Sequence, residues 1–139
     1  MRISHLLATS LLLLSFCFNL QAQKVEGSDR LGAVMQFDKK YHDFGSVKKG
    51  EIKTTFFEFT NTGDEAIEIE LISACDCTTT DYPRLPVKPG EKGVIKVIFD
   101  STEKEESEVI DVDIYLKNSH PKTGVPIIEM VQYTYNLKS

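Results

Sequence analysis

From residue 52 to residue 137 the apolar side chains recur at every second position, segment after segment, and nowhere at the three-or-four spacing of a helical face. A period of two puts successive side chains on opposite sides of an extended chain. Each segment therefore reads as a strand with one buried face and one wet face. In Ile52 to Asn61, Thr55, Phe57 and Phe59 share one face while Thr54, Glu58 and Thr60 share the other, and Phe56, which breaks the pattern, is expected to cover an edge. Ala66 to Ser73 sets Ile67, Ile69 and Leu71 against Glu68 and Glu70. Val94 to Asp100 turns Ile95, Val97 and Phe99 inward, and Ile110, Val112, Ile114 and Leu116 alternate with Asp111, Asp113 and Tyr115. A long last segment, Val125 to Leu137, sets Ile127, Glu129, Val131, Tyr133 and Tyr135 against Ile128, Met130, Gln132 and Thr134. Two shorter candidates come first, Ala33 to Asp38 and Tyr41 to Val47, the second breaking at Gly45.

Turn-forming residues punctuate the series at Lys48-Lys49-Gly50-Glu51, Asn61-Thr62-Gly63-Asp64, Lys88-Pro89-Gly90-Glu91 and Asn118 to Gly124. Pro83, Pro86 and Pro89 exclude a central strand or helix interior, so Asp81 to Pro89 is expected to be an extended crossing segment. About seven strands with turns roughly every ten residues predict an all-β fold, an antiparallel β-sandwich. The chain has no Trp and no widely spaced Cys…Trp…Cys set, so it is not a true immunoglobulin domain by sequence.

The first 22 residues read as a signal peptide: Arg2 supplies the n-region charge, Leu6 to Phe18 the apolar h-region, and Leu20-Gln21-Ala22 a small residue at the cleavage point. The run is shorter than the roughly 20 apolar residues a bilayer crossing needs. No transmembrane segment is expected after cleavage, and the product is expected to be exported, to a periplasm or the extracellular space. Leu14-Ser15-Phe16-Cys17 loosely copies a lipoprotein box, making a lipid anchor on Cys17 the rival reading, although Phe16 stands where such a box wants a small residue. Residues 23–32 are polar and aperiodic and read as a flexible lead-in, leaving 33–139 as one domain. The net charge of −5 argues against nucleic acid or an anionic lipid surface as a partner, since both reward clustered Lys and Arg.

Cys75-Asp76-Cys77 holds the two cysteines that survive leader removal. In an extended strand such a pair shares a face with side chains about 6.5 to 7 Å apart, whereas disulfide Cβ atoms want about 3.8 Å, so a bridge requires a bulge or turn. Closing a loop of about three residues restricts the unfolded chain by only about 1.6 kcal/mol, so a bridge here is a poor staple and suits thiol exchange better. The pair thus reads as two half-buried thiols ending a strand, as a bridge without function, or as a redox pair; a soft ion such as Cu(I) would also suit two thiolates. A closed zinc site needs about four ligands, and only His42 and His120 are at hand, the first read as a hydrogen-bonded residue at a strand end and the second as solvated. No metal site, cofactor or catalytic residue is assigned: there is no nucleophile elbow, phosphate-cradling glycine loop or HExxH, and the acids Asp43, Asp76, Asp81, Asp111 and Asp113 show no pairing in sequence. Glu103, Glu105 and Glu106 read as a solvated loop tip.

Five motifs in order carry a resemblance: Tyr41-His42-Asp43-Phe44-Gly45, Phe57 to Gly63, Cys75-Asp76-Cys77-Thr78, Pro89 to Gly93, and Ile95 to Asp100. Over about Phe37 to Leu137 the chain resembles the exported bacterial domain of unknown function 1573 family. The resemblance implies an immunoglobulin-like sandwich related to the sperm-protein and Hydin-like class, whose better-known relatives bind proteins. It carries over no catalytic residue. Two departures are Asp76, where the family more often has Gly, and the acidity of Glu103 to Glu108. The expected function is a non-catalytic module that binds a protein partner, or scaffolds an assembly, in the cell envelope, with an exposed edge near Tyr133-Thr134-Tyr135 as one way to accept a strand. The alternative is a thiol-redox or copper-handling protein using Cys75 and Cys77. A third reading makes Tyr82, Tyr115, Tyr133 and Tyr135 sugar platforms.

Overall fold

The computed structural model describes residues 29–139, so the leader expected over 1–22, and Cys17 with it, lies outside the described residues. Eight strands are formed: β1 (Met35–Phe37), β2 (Tyr41–Lys48), β3 (Ile52–Asn61), β4 (Ile69–Ser73), β5 (Thr78–Asp81), β6 (Lys92–Asp100), β7 (Glu108–Ser119) and β8 (Pro126–Lys138). They make two four-stranded sheets, ordered β1-β3-β6-β5 and β2-β8-β7-β4, and no helix occurs among the described residues. Phe57, Phe59, Ile95, Val97 and Phe99 of the first sheet meet Val112, Ile114, Val131, Tyr133 and Tyr135 of the second in one buried core. These are the inward positions of the period-two pattern, and the fold is the expected all-β sandwich.

There are eight strands rather than about seven, because the β-branched run Thr78-Thr79-Thr80 adds to the edge of β6, with Thr79 opposite Ile98. The sandwich is also not wholly antiparallel. β2 runs parallel to β8, since it reaches its sheet by crossing over from β1 rather than through a hairpin. In β4 the register slips between Ile69 and Leu71, so Ile72 opposes the buried Ile114 and Leu71 is thrown onto the outer face. One extra residue is enough to do this, because a slip of one exchanges the two faces of a strand. Phe56 lies on the outer face of β3, directly opposite Lys96 of β6 and beyond the Phe59 to Asn61 stretch that β1 pairs.

The edge expected near Tyr133 is absent. β8 is flanked by β2 and β7, and Tyr133 and Tyr135 are core residues, which removes them as sugar platforms. The outermost strands are poor templates for an added strand, and β3 is open on the β1 side over Ile52 to Phe57, since β1 pairs only Phe59 to Asn61. β1 has three residues, β5 has four and is followed by Pro83, β4 is bulged, and β2 is kinked between Asp43 and Ser46, where Gly45 takes φ +67° and donates its N–H to Asp43 Oδ1 at 2.7 Å.

The last residues of the lead-in are tied to the sandwich. Leu31 and Gly32 donate their N–H groups to the two oxygens of Asp64 at 3.0 and 2.7 Å, and these bonds hold the Asp64 carboxyl below its ordinary pKa. Gly63 is required beside them, because a Cβ there would collide with the Gly32 carbonyl.

Candidate functional site

At one end of the sandwich, β4 leaves its sheet after Ser73 and β5 begins the other at Thr78, so the cysteines fall in the crossing between sheets. The Thr78 N–H donates to the Cys75 carbonyl at 2.9 Å, closing the turn that a bridge requires. That turn brings the Cα atoms of Cys75 and Cys77 to 5.1 Å, and the two are joined as a disulfide. The crossing is pinned from the far side by the Asp100 N–H, which donates to the Cys77 carbonyl at 2.9 Å.

Beneath the bridge lies an aromatic floor. The Phe99 ring packs 4.4 Å from Tyr135 and 5.2 Å from Tyr133, with Phe44 edge-on to Tyr133 at 5.4 Å. Two hydroxyls rise from it toward the sulfurs. Thr78 Oγ1 is 2.7 Å from Tyr133 Oη and 3.2 Å from Cys75 Sγ, and Tyr133 Oη is 3.6 Å from Cys77 Sγ. Bridged sulfurs carry no proton, so only the hydroxyls can donate, and two protons must serve the oxygen–oxygen contact and the sulfurs. Either Tyr133 donates to Thr78 and Thr78 to Cys75 or to Cys77, whose sulfur is 3.5 Å away, or Thr78 donates to Tyr133 and Tyr133 to Cys77. Burial pushes the Tyr133 phenol up to about 12, so it stays a proton donor throughout the neutral range.

Above the bridge is an open hollow of ≈ 350 Å³ lined by Cys75, Asp76, Cys77, Asp100, Thr102, Glu103 and Lys104. Its charge is acidic. Lys104 is engaged by Glu108, which also accepts from Tyr135 Oη at 2.9 Å, and Asp100 is held charged by the Thr102 hydroxyl at 2.6 Å and N–H at 2.9 Å. The loop expected as a solvated tip is therefore partly tied down: Ser101 is buried and its hydroxyl donates to the Lys48 and Glu51 carbonyls, while Lys49 pairs with Glu105.

Glu108 makes this end of the molecule acid-sensitive. Bonds from Lys104, then from Tyr135, lower its pKa from 4.5, so the charged form contributes stability above that value and the contribution is lost as pH falls through the depressed folded value. The expected result is that the stability gap between the wild type and Glu108→Gln is constant from neutral pH to about 5 and closes below it, as read by denaturant unfolding at stepped pH.

The histidines stand apart from the cysteines. His42 Nδ1 accepts from Lys39 Nζ at 2.9 Å and the ring lies edge-on to Phe44, with partial burial and then the Lys39 charge lowering its pKa. His120 is exposed in the β7–β8 turn. Among the described residues no group of three or more His, Cys, Asp or Glu side chains is placed to hold a metal ion. Thr78 adjoins the pair in sequence and could have been noticed there. Tyr133, 55 residues further on, carries no local signal.

A second candidate surface lies on the outer face of the β2-β8-β7-β4 sheet. Leu71, Tyr115 and Ile128 are direct cross-strand partners on three adjacent strands, Leu71 being 45% and Ile128 55% exposed, and Met130, 43% exposed, follows on the same face of β8. The neighbouring charges are Asp113, opposite Met130 and Ser73, then Asp111, Glu70 and one cation, Lys117. The other outer face is less continuous, because its exposed apolar residues each face a charge: Ile52 opposes Asp100, Phe56 opposes Lys96 and Val94 opposes Glu58. Of the tyrosines read as platforms, Tyr115 lies in this row, and Tyr82 is covered by the Arg84 guanidinium 3.9 Å above its ring.

No curated protein matches the chain. Among solved structures it is similar to a protein of unknown function from Porphyromonas gingivalis W83, with 20% identity and a TM-score of 0.59 over 76% of this chain and 47% of that one. It is also similar to the ASH/PapD-like domain 7 of human CEP192, with 10% identity and a TM-score of 0.58 over 100% of this chain and 97% of that domain. The Vibrio cholerae VesB protease gives 12% identity and a TM-score of 0.58 over 73% of this chain and 31% of that one. The chain thus spans about half of the Porphyromonas protein and a third of the protease, and at these identities the likeness is one of fold. A family model for proteins of unknown function, DUF1573, matches residues 35–131, most of the sandwich, and the chain belongs to that family.

Proposed function

We propose that this protein is an exported, non-catalytic β-sandwich of the cell envelope that binds a protein partner through the outer face of the β4, β7 and β8 strands. The observation that carries the reading is the apolar row Leu71-Tyr115-Ile128, continued by Met130, on a face that an isolated sheet would fill with polar side chains. A sheet face is favoured over the outermost strands of the two sheets because each of these is short, bulged or kinked. The occupant that fits is a protein segment presenting apolar anchors flanked by Lys or Arg, since Asp111, Asp113 and Glu70 outnumber Lys117 around the row. Export rests on the leader read over residues 1–22, and the destination on that reading is a periplasm or the extracellular space. Among the described residues no helix is long and apolar enough to cross a membrane.

The test is panning of a random peptide library on the immobilised domain. Enriched peptides are expected to pair apolar residues with basic neighbours and to lose about tenfold or more in affinity on Ile128→Glu, an exposed change expected to leave stability within about 0.5 kcal/mol. Enrichment of acidic peptides, or binding untouched by that variant, would rule the face out.

A further inference from the structure

We propose that the Cys75–Cys77 bridge is an exchange-competent disulfide that oxidises protein dithiols, with a preference for thiols in neutral or basic surroundings. This goes beyond the binding function above and does not depend on it. Three observations carry it. The bridge closes a loop too short to constrain the unfolded chain appreciably, so its worth as a staple is small. It borders an open hollow, where an incoming thiolate can reach a sulfur. And Thr78 and Tyr133 place hydroxyl protons against Cys75 Sγ and Cys77 Sγ, where the negative charge of a leaving thiolate develops.

The exchange balances as follows. A substrate thiolate attacks one bridge sulfur, the Cys75–Cys77 S–S bond breaks, and its electron pair leaves on the other sulfur, which the Thr78–Tyr133 pair hydrogen-bonds. The substrate's second thiolate then attacks its own sulfur in the mixed disulfide and expels the first cysteine. The substrate leaves as a disulfide, having lost two electrons and two protons, and Cys75 and Cys77 become a dithiol. The carboxylates of Asp76, Asp100 and Glu103 around the hollow, with Lys104 taken up by Glu108, set the charge preference.

The experiment follows reduction of the folded mature protein by two monothiols of opposite charge, cysteamine and mercaptoethanesulfonate, with loss of the bridge read by mass spectrometry after alkylation. Cysteamine is expected to react about tenfold faster or more, relative to the same two reagents on a small uncharged disulfide, and the preference is expected to shrink with added salt. Thr78→Val is expected to slow both reagents about tenfold and Thr78→Ser to restore the rate. The double variant Cys75→Ala, Cys77→Ala is expected to keep the fold and to show no reaction with either reagent. A bridge that yields only on unfolding, a pair found as free thiols in the oxidised protein, or an absence of charge preference together with an unchanged Thr78→Val rate would each overturn the proposal.

Discussion

Replacing Asn61 by Leu is expected to destabilise the domain by about 4 kcal/mol, lowering the thermal midpoint by at least about 15 °C. Asn61 ends β3 and is fully buried. Its Nδ2 donates to the Glu65 and Val87 carbonyls at 2.8 and 2.9 Å, and its Oδ1 accepts the Gly63 N–H at 2.9 Å. One side chain thus ties the β3–β4 turn to the segment that crosses toward β6. Leucine is close in size, so the loss is expected to come from the Gly63 N–H and the Glu65 carbonyl left without partners, each worth about 1 to 3 kcal/mol, and from the second bond lost at the Val87 carbonyl, which keeps the Ile67 N–H, rather than from a cavity. Asn61→Asp separates the two causes. It keeps the acceptor for Gly63 but turns a charged oxygen toward two carbonyls, which raises its folded pKa. Its penalty should therefore be full at neutral pH and shrink as pH falls toward the ordinary carboxyl range. A cavity effect would show no such pH dependence in a thermal or denaturant series.

The second large effect is expected at Phe99, where replacement by Ala should cost about 4 kcal/mol. Its ring is fully buried among Phe44, Tyr133 and Tyr135, and it lies opposite Thr78 across the β5–β6 pair. Aromatic pairs in tilted or edge-on geometry contribute beyond their buried area, so this cluster is expected to resist collapse when its centre is removed. Phe99→Leu should cost roughly half as much. The consequence reaches the functional end of the molecule, because the same ring forms the floor on which the Tyr133 and Thr78 hydroxyls are held. Faster hydrogen exchange at the Thr78 and Asp100 amides than at the β3 amides would show that loosening in Phe99→Leu, where the domain stays folded.

The alternation of Phe57 and Phe59, of Ile95, Val97 and Phe99, and of Val112 and Ile114 was readable because each lies in a long strand whose neighbours impose one buried face. Leu71 departs from the alternation for a local reason: a single bulged residue in β4 exchanges inside for outside, and no composition signal marks it. The parallel pairing of β2 with β8 was illegible because it joins Tyr41 to Gln132 and His42 to Tyr133, partners set by the crossing of the chain between sheets rather than by a turn. At the candidate site the cysteines and the need for a turn between them could be read directly. The hydroxyl of Tyr133 could not, since it reaches Thr78 from the opposite sheet. The apolar row on the outer face shared this fate. By alternation Ile128 and Met130 fall on the wet side of their strand, and only the register of three strands shows that they continue Leu71 and Tyr115 into one surface.

The measurement that bears most directly on the binding function is an amide chemical-shift titration of the isotope-labelled domain with a library-selected peptide of apolar and basic residues. The largest shifts are expected at Leu71, Tyr115, Ile128 and Met130, with the β3 and β6 amides of the opposite sheet unmoved. Shifts confined to the opposite sheet, or to the amides around Cys75 and Cys77, would contradict a binding face on β4, β7 and β8.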